Sequence, residues 1–240
     1  MKSFSNPAKL FIVVVAGCGL AVLSYAGMHR ETVLLTRFAA FLTITVLAAR
    51  LSLRLPGMDS SMSVNLPFIL VCLTQLSLLE TVFIACSSAL AQSLGKGKKA
   101  DPVKVIFNVS AMACSIGLAF FLYNGISHNT DLRTRTLLLA AAAAGYFMGN
   151  TLPVAIIIGL TEKKNAAKLW GEVFLWTYPY YLASAGLASM VIVATLVIGW
   201  QTPLLILPIA YGVYCSFKKY FAGAQTEGLQ QPLVRRASAL

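Results

Sequence analysis

Long runs of apolar residues, without a polar face, alternate with short polar stretches along this chain. The runs are Leu10–Ala26, Thr32–Leu53, Val64–Leu94, Pro102–Tyr123, Thr134–Leu160, about Lys168–Trp200, and Leu204–Phe217. About 20 apolar residues suffice to cross a bilayer as a helix, so the pattern predicts an all-α, polytopic transmembrane bundle. A β-barrel would alternate apolar and polar positions, and an open sheet edge in lipid would leave backbone groups unpaired. The third run, 31 residues long, is either one tilted helix or two short helices forming a hairpin. The first choice gives about seven spans, the second eight. The fifth run is also long and must cross once, which argues for a single crossing in the third and makes seven the expectation.

The polar stretches mark the element ends. Pro56-Gly57-Met58-Asp59-Ser60-Ser61 is a loop, Asp101-Pro102 has the form of a helix start, and Gln201-Thr202-Pro203 is a turn. Ser24-Tyr25-Ala26 and Val15-Ala16-Gly17-Cys18 resemble signal-processing sites, but a second apolar run follows almost at once, so an uncleaved first helix is expected. Residues 1–220 are read as a single transmembrane domain and 221–240 as a short disordered cytoplasmic tail. Leu78-Leu79-Glu80-Thr81 corresponds to Met148-Gly149-Asn150-Thr151, and each is followed by a lysine-rich loop and another helix. This suggests an internal repeat of helix pairs, over about 64–124 and 134–199.

Composition reinforces the class. The 240 residues are 58% hydrophobic and 11% charged, against about 25% charged in soluble domains. The net charge of +11 would suggest nucleic acid in a soluble protein. Here the cations sit in short loops, which is the positive-inside pattern, and no nucleic-acid partner is expected. The bilayer itself is the expected partner. With Lys96–Lys104, Lys163–Lys168 and the tail in the cytoplasm, the chain reads as a bacterial inner-membrane protein with a cytoplasmic C-terminus. Seven spans would put the N-terminus outside; eight would put it inside, as Lys2, Lys9, Arg50 and Arg54 favour. Five cysteines lie in apolar runs without metal-ligand spacing and read as packing residues.

The candidate site residues are few. Glu80 lies near the centre of the third run, where a lone carboxylate costs several kcal/mol unless neutral or paired. It can be a ligand- or ion-sensing group, a hydrogen-bonded carboxyl locking two helices, or, if the run turns back, a group at the hairpin tip. Ser77 and Thr81 accompany it. Asn150, with Pro153 one turn on, is the matching feature of the fifth run. Asn108 and Tyr178 fall at corresponding depths of the two later repeat helices. Arg37 is expected to snorkel to the headgroups. The phosphate-loop spacing, H-E-x-x-H, G-x-S-x-G and a carboxylate cluster able to hold a metal are all missing from the sequence. No catalytic residue, metal or cofactor is therefore expected, and the chain reads as a non-enzyme.

Several stretches carry a resemblance: Ala49-Arg50-Leu51 through Leu55-Pro56-Gly57, Met62-Ser63-Val64-Asn65 with Leu78-Leu79-Glu80-Thr81, Val105-Ile106-Phe107-Asn108, Gly149-Asn150-Thr151-Leu152-Pro153, Trp176-Thr177-Tyr178-Pro179-Tyr180-Tyr181-Leu182, and Gly199-Trp200-Gln201-Thr202. Over about residues 49–215 the chain resembles the multi-pass membrane sensor region that precedes GGDEF or HD-GYP output domains in bacterial cyclic-di-nucleotide signalling proteins. The resemblance implies a sensory or anchoring role with a cytoplasmic C-terminus. It carries over no output activity, because no output domain is expected after the last run. The expected function is thus a sensor-type or anchoring module that binds a small ligand or a cytoplasmic signalling partner. The alternative is a small-molecule transporter or the substrate-binding membrane subunit of one, since two repeats meeting at a midplane carboxylate suit transport equally. Oligomeric state is left open.

Overall fold

The computed structural model describes residues 5–29, 35–50, 52–54, 61–63, 65–94, 101–125, 131–202, 212 and 215. The seventh run apart from Gly212 and Cys215, the tail 221–240, and the loops around Pro56-Gly57, Gly95–Lys99 and His128 lie outside the described residues. The elements are α1 (Asn6–Met28), α2 (Leu35–Arg50), β1 (Ser52–Arg54), β2 (Ser61–Ser63), α3 (Leu66–Gln75), α4 (Leu78–Leu94), α5 (Pro102–Asn124), α6 (Leu132–Glu162), α7 (Ala166–Leu169) and α8 (Tyr178–Ile198). A π turn (Trp170–Phe174) and a 3-10 turn (Leu175–Thr177) join α7 to α8. The bundle is helical, as the apolar runs require, with one antiparallel ribbon pairing Ser52 with Ser63 and Arg54 with Ser61. Among the described residues, α1, α5, α6 and α8 are long and apolar enough to cross a membrane, and α3 and α4 are shorter apolar helices. The protein is a membrane protein of transmembrane helices.

The third run takes the hairpin form rather than the single crossing. Its helix breaks at Leu76-Ser77, where Leu76 adopts extended backbone. Two contacts across the break have the same centre, between Leu76 and Ser77. Thr81 Oγ1 donates to the carbonyl of Cys72 at 3.2 Å, and Asn65 Nδ2 donates to Ser88 Oγ at 3.1 Å. Only antiparallel helices satisfy both. The physical reason for the break is a new helix start: Ser77 and Glu80 cap α4, as described below.

α1 and α5 run parallel. Phe11 meets Phe107 with ring centroids 6.2 Å apart, and Tyr25 meets Phe121 at 5.3 Å, with equal steps along both helices. The start of α1 therefore lies at the same end as the start of α5. Ser5 Oγ lies 3.4 Å from the carbonyl of Leu160, which places the Lys163–Lys168 loop there too. This basic end thus gathers the N-terminal side of the chain, as the eight-span form requires.

α5 is the hub, packed against α6, α1 and α4. Its contact with α6 is close because Gly145 and Gly149 face it. A Cβ on Gly149 would sit 2.9 Å from Cα of Ser115, and one on Gly145 would overlap Leu122 Cδ1. Small residues four apart let helix backbones approach in lipid, where packing rather than water drives association. α3 is buried on every side from Leu66 to Leu73, as expected of a helix apolar all round. At 10 residues it is about 15 Å long, half of a bilayer core of about 30 Å. Asn124 Nδ2 reaches the carbonyl of Leu73 at 3.4 Å and Gln75 Nε2 reaches Thr195 Oγ1 at 3.3 Å. Both partners are near the ends of α5 and α8 remote from the basic loops. α3 therefore begins inside the bundle and rises to the opposite end.

Candidate functional site

The predicted site residues fall into two groups and one outlier. The first group is the hairpin tip. Glu80 is 8% exposed, and one carboxylate oxygen accepts from the Ser77 backbone N–H and from Ser77 Oγ, each at 2.9 Å. The Glu80 N–H donates back to Ser77 Oγ at 3.4 Å. This is a capping box: the residue before the helix and the third residue inside it satisfy each other's free donors. Thr81 Oγ1 donates to the carbonyls of Ser77, at 2.9 Å, and of Cys72, so it ties the turn to α3. The three residues close a turn with their own hydrogen-bonding groups. Arg37 meets Trp200 instead, its guanidinium carbon 5.9 Å from the indole centroid.

The second group lies between α6 and the segment leading into α8. The Asn150 side chain lies beside the Tyr181 hydroxyl. Thr151 accepts from Trp170 Nε1 at 2.9 Å and donates to the carbonyl of Phe147 at 2.7 Å. Phe147 is surrounded by rings: Trp170 at 5.7 Å, Tyr178 at 5.3 Å and Tyr181 at 4.9 Å between centroids. Tyr146 adds a contact to Tyr181 at 6.0 Å, and its hydroxyl lies 3.1 Å from Met112 Sδ. Tyr180 reaches the backbone of Leu66, which links this seam to the start of α3. Pro153 lies inside α6, which continues unbroken through it to Glu162.

Of the residues singled out from the sequence, Asn150 and Tyr178 fall in this seam. Thr151, Trp170, Phe147 and Tyr181 were missed as their partners. Thr151 and Tyr181 were part of quoted motifs, but a spacing cannot show that a π turn aims Trp170 at Thr151. Asn108 is the outlier, exposed on α5. The two positions aligned by the repeat also differ in setting. Glu80 opens α4, whereas Asn150 lies well inside α6.

The seam groups an amide, hydroxyls and ring faces beside a segment whose helix is irregular. Among the described residues, no group of three His, Cys, Asp or Glu side chains is placed to hold a metal.

A model of the MASE9 family, a membrane-associated sensor domain, matches residues 21–222. The chain belongs to that family. No curated protein and no solved structure was found to match it.

Proposed function

We propose that the chain is a non-enzymatic sensor module of a bacterial inner membrane, and that the seam between α6 and the α7–α8 segment binds its small-molecule signal. The observation that carries this reading is the break in helical regularity at Trp170–Thr177, tied to α6 through Trp170 and Thr151. A π turn is rare and is frequently found at functional sites. A ligand that competed for Thr151 would release Trp170, and one that competed for Asn150 would displace Tyr181; either would alter the entry into α8. In this reading the basic end faces the cytoplasm by the positive-inside rule. α8 and the residues after it then convey the change to a cytoplasmic partner, such as an output domain of the GGDEF or HD-GYP kind.

The test is a thermal-shift screen of small molecules in detergent, on the wild type and on Asn150→Leu. A ligand of this site raises the unfolding temperature of the wild type by mass action and leaves the variant unmoved. An equal shift in both places the ligand elsewhere and rejects the seam. Transport is a second reading, favoured by one observation: α3 begins inside the bundle, and discontinuous helices line substrate sites in transporters. Uptake by proteoliposomes that is lost on Glu80→Gln would decide for it.

A further inference from the structure

The α1–α5 contact holds a feature that neither the sensor reading nor the seam uses. Its two aromatic pairs, Phe11 with Phe107 and Tyr25 with Phe121, set the register of two parallel helices. Cys18 lies seven residues from each of Phe11 and Tyr25, and Cys114 lies seven residues from each of Phe107 and Phe121. Two parallel helices meeting at both ends of this interval bring every seventh residue into the same layer. Cys18 and Cys114 therefore share the middle layer of the contact.

Three observations support their approach. Cys114 Sγ lies 3.8 Å from the carbonyl of Val15, one turn before Cys18. A Cβ on Gly19 would sit 3.0 Å from Cα of Ser110, so the backbones come close here. A disulfide needs Cα atoms about 4.4–6.8 Å apart, so closure requires Cys18 and Cys114 to come within that range. Cys18 and Cys86 both lie near enough to Cys114 to interact electrostatically. Each is the thirteenth residue of a 23-residue helix, so both lie near the middle of the bilayer. Cys18 is exposed.

We propose that Cys18 and Cys114 form a redox-active thiol pair that a lipid-soluble quinone closes to a disulfide between α1 and α5. Both S–H bonds break and one S–S bond forms. Two electrons and two protons pass to the quinone, which leaves as the hydroquinone. Both thiols sit midway along membrane-spanning helices, away from aqueous reagents, so the oxidant has to arrive through the lipid. The pair stands apart from the α6–α8 seam and does not depend on ligand binding there. Its closure would fasten the first helix to the hub of the bundle.

The test uses the full chain in nanodiscs, treated with a short-chain quinone or with ferricyanide, followed by thiol counting and peptide mapping. Quinone should lower the free thiols from five to three and yield a peptide joined through Cys18 and Cys114. Cys18→Ser should abolish that peptide, Cys86→Ser should retain it, and ferricyanide should produce far less of it. Free thiols that survive the quinone overturn the proposal, as does a link from Cys114 to Cys86. Closure by copper–phenanthroline but not by quinone would overturn the quinone as oxidant.

Discussion

Replacing Glu80 separates a capping role from a sensing one. Its carboxylate accepts two bonds of 2.9 Å from Ser77, while the return bond to Ser77 Oγ is 3.4 Å and contributes little. The weight of the box thus rests on Glu80 as an acceptor. Glu80→Leu removes that acceptor at a site 8% exposed. The Ser77 hydroxyl can turn to another carbonyl, but its backbone N–H cannot. An orphaned buried donor costs about 1–3 kcal/mol, so a loss of about 2 kcal/mol is expected. For a chain of this size that corresponds to a fall of roughly 4–8 °C in unfolding temperature. Glu80→Gln keeps an oxygen in place and fits the same box. It gives up only the charge assistance of the bonds, about 1 kcal/mol or less. The assay is thermal unfolding of purified protein in detergent, with helix content as the readout. Equal damage from Gln and Leu would refute the capping argument, because the charge rather than the acceptor would then matter. So would a Leu variant as stable as the wild type.

Other outcomes follow from the packing and the polar contacts. Gly149→Ala should destabilise by about 1–3 kcal/mol through overpacking against Ser115, whereas Gly17→Ala, with nothing within 4 Å of the new methyl, should be near neutral; thermal unfolding of the pair checks both. Trp170→Phe and Thr151→Val each remove one partner of the 2.9 Å bond, and a double-mutant cycle should show coupling of about 0.5–1.5 kcal/mol; additive effects would show that the bond carries no weight. The Thr134 hydroxyl donates to Asp131 and holds its carboxyl below the usual carboxylate range. The folded-state value is depressed, so the stabilisation is present above the unfolded-state value and is lost as pH falls through the folded one. A carboxyl NMR titration should place the midpoint below 3.8, and Thr134→Ala should move it upward.

Much of the fold was legible because a helix in lipid announces itself by length and apolarity, and loops by lysine. Asp101-Pro102 was readable as a cap, and Asp101 Oδ1 does accept from the Val103 N–H at 3.0 Å. The break at Leu76-Ser77 was harder to see because both sides of it are apolar, so hydropathy passes over it without a dip. The signal was nonetheless present. Ser77-Leu78-Leu79-Glu80 has the spacing of a capping box before an apolar run. Pairing Ser77 with Glu80 on one helix face identified the right neighbours, but Ser77 stands before the helix. The ribbon and the π turn were not legible, since each depends on distant partners: Thr151 for Trp170, and Ser63 for Ser52.

The brevity of α3 bears on how the protein is made. A helix of about 15 Å is too short for the insertion machinery to release into lipid alone, and its first backbone donors would meet hydrocarbon unpaired. Its companions from α8 emerge from the ribosome about a hundred residues later: Tyr180 beside Leu66, and Thr195 beside Gln75. The centre of the molecule must therefore wait at the edge of the membrane or in a provisional pairing until nearly the whole chain has been synthesised. Truncation within α8 would then strand α3 during biogenesis, and quality-control proteolysis would begin at the middle of the sequence rather than at its cut end.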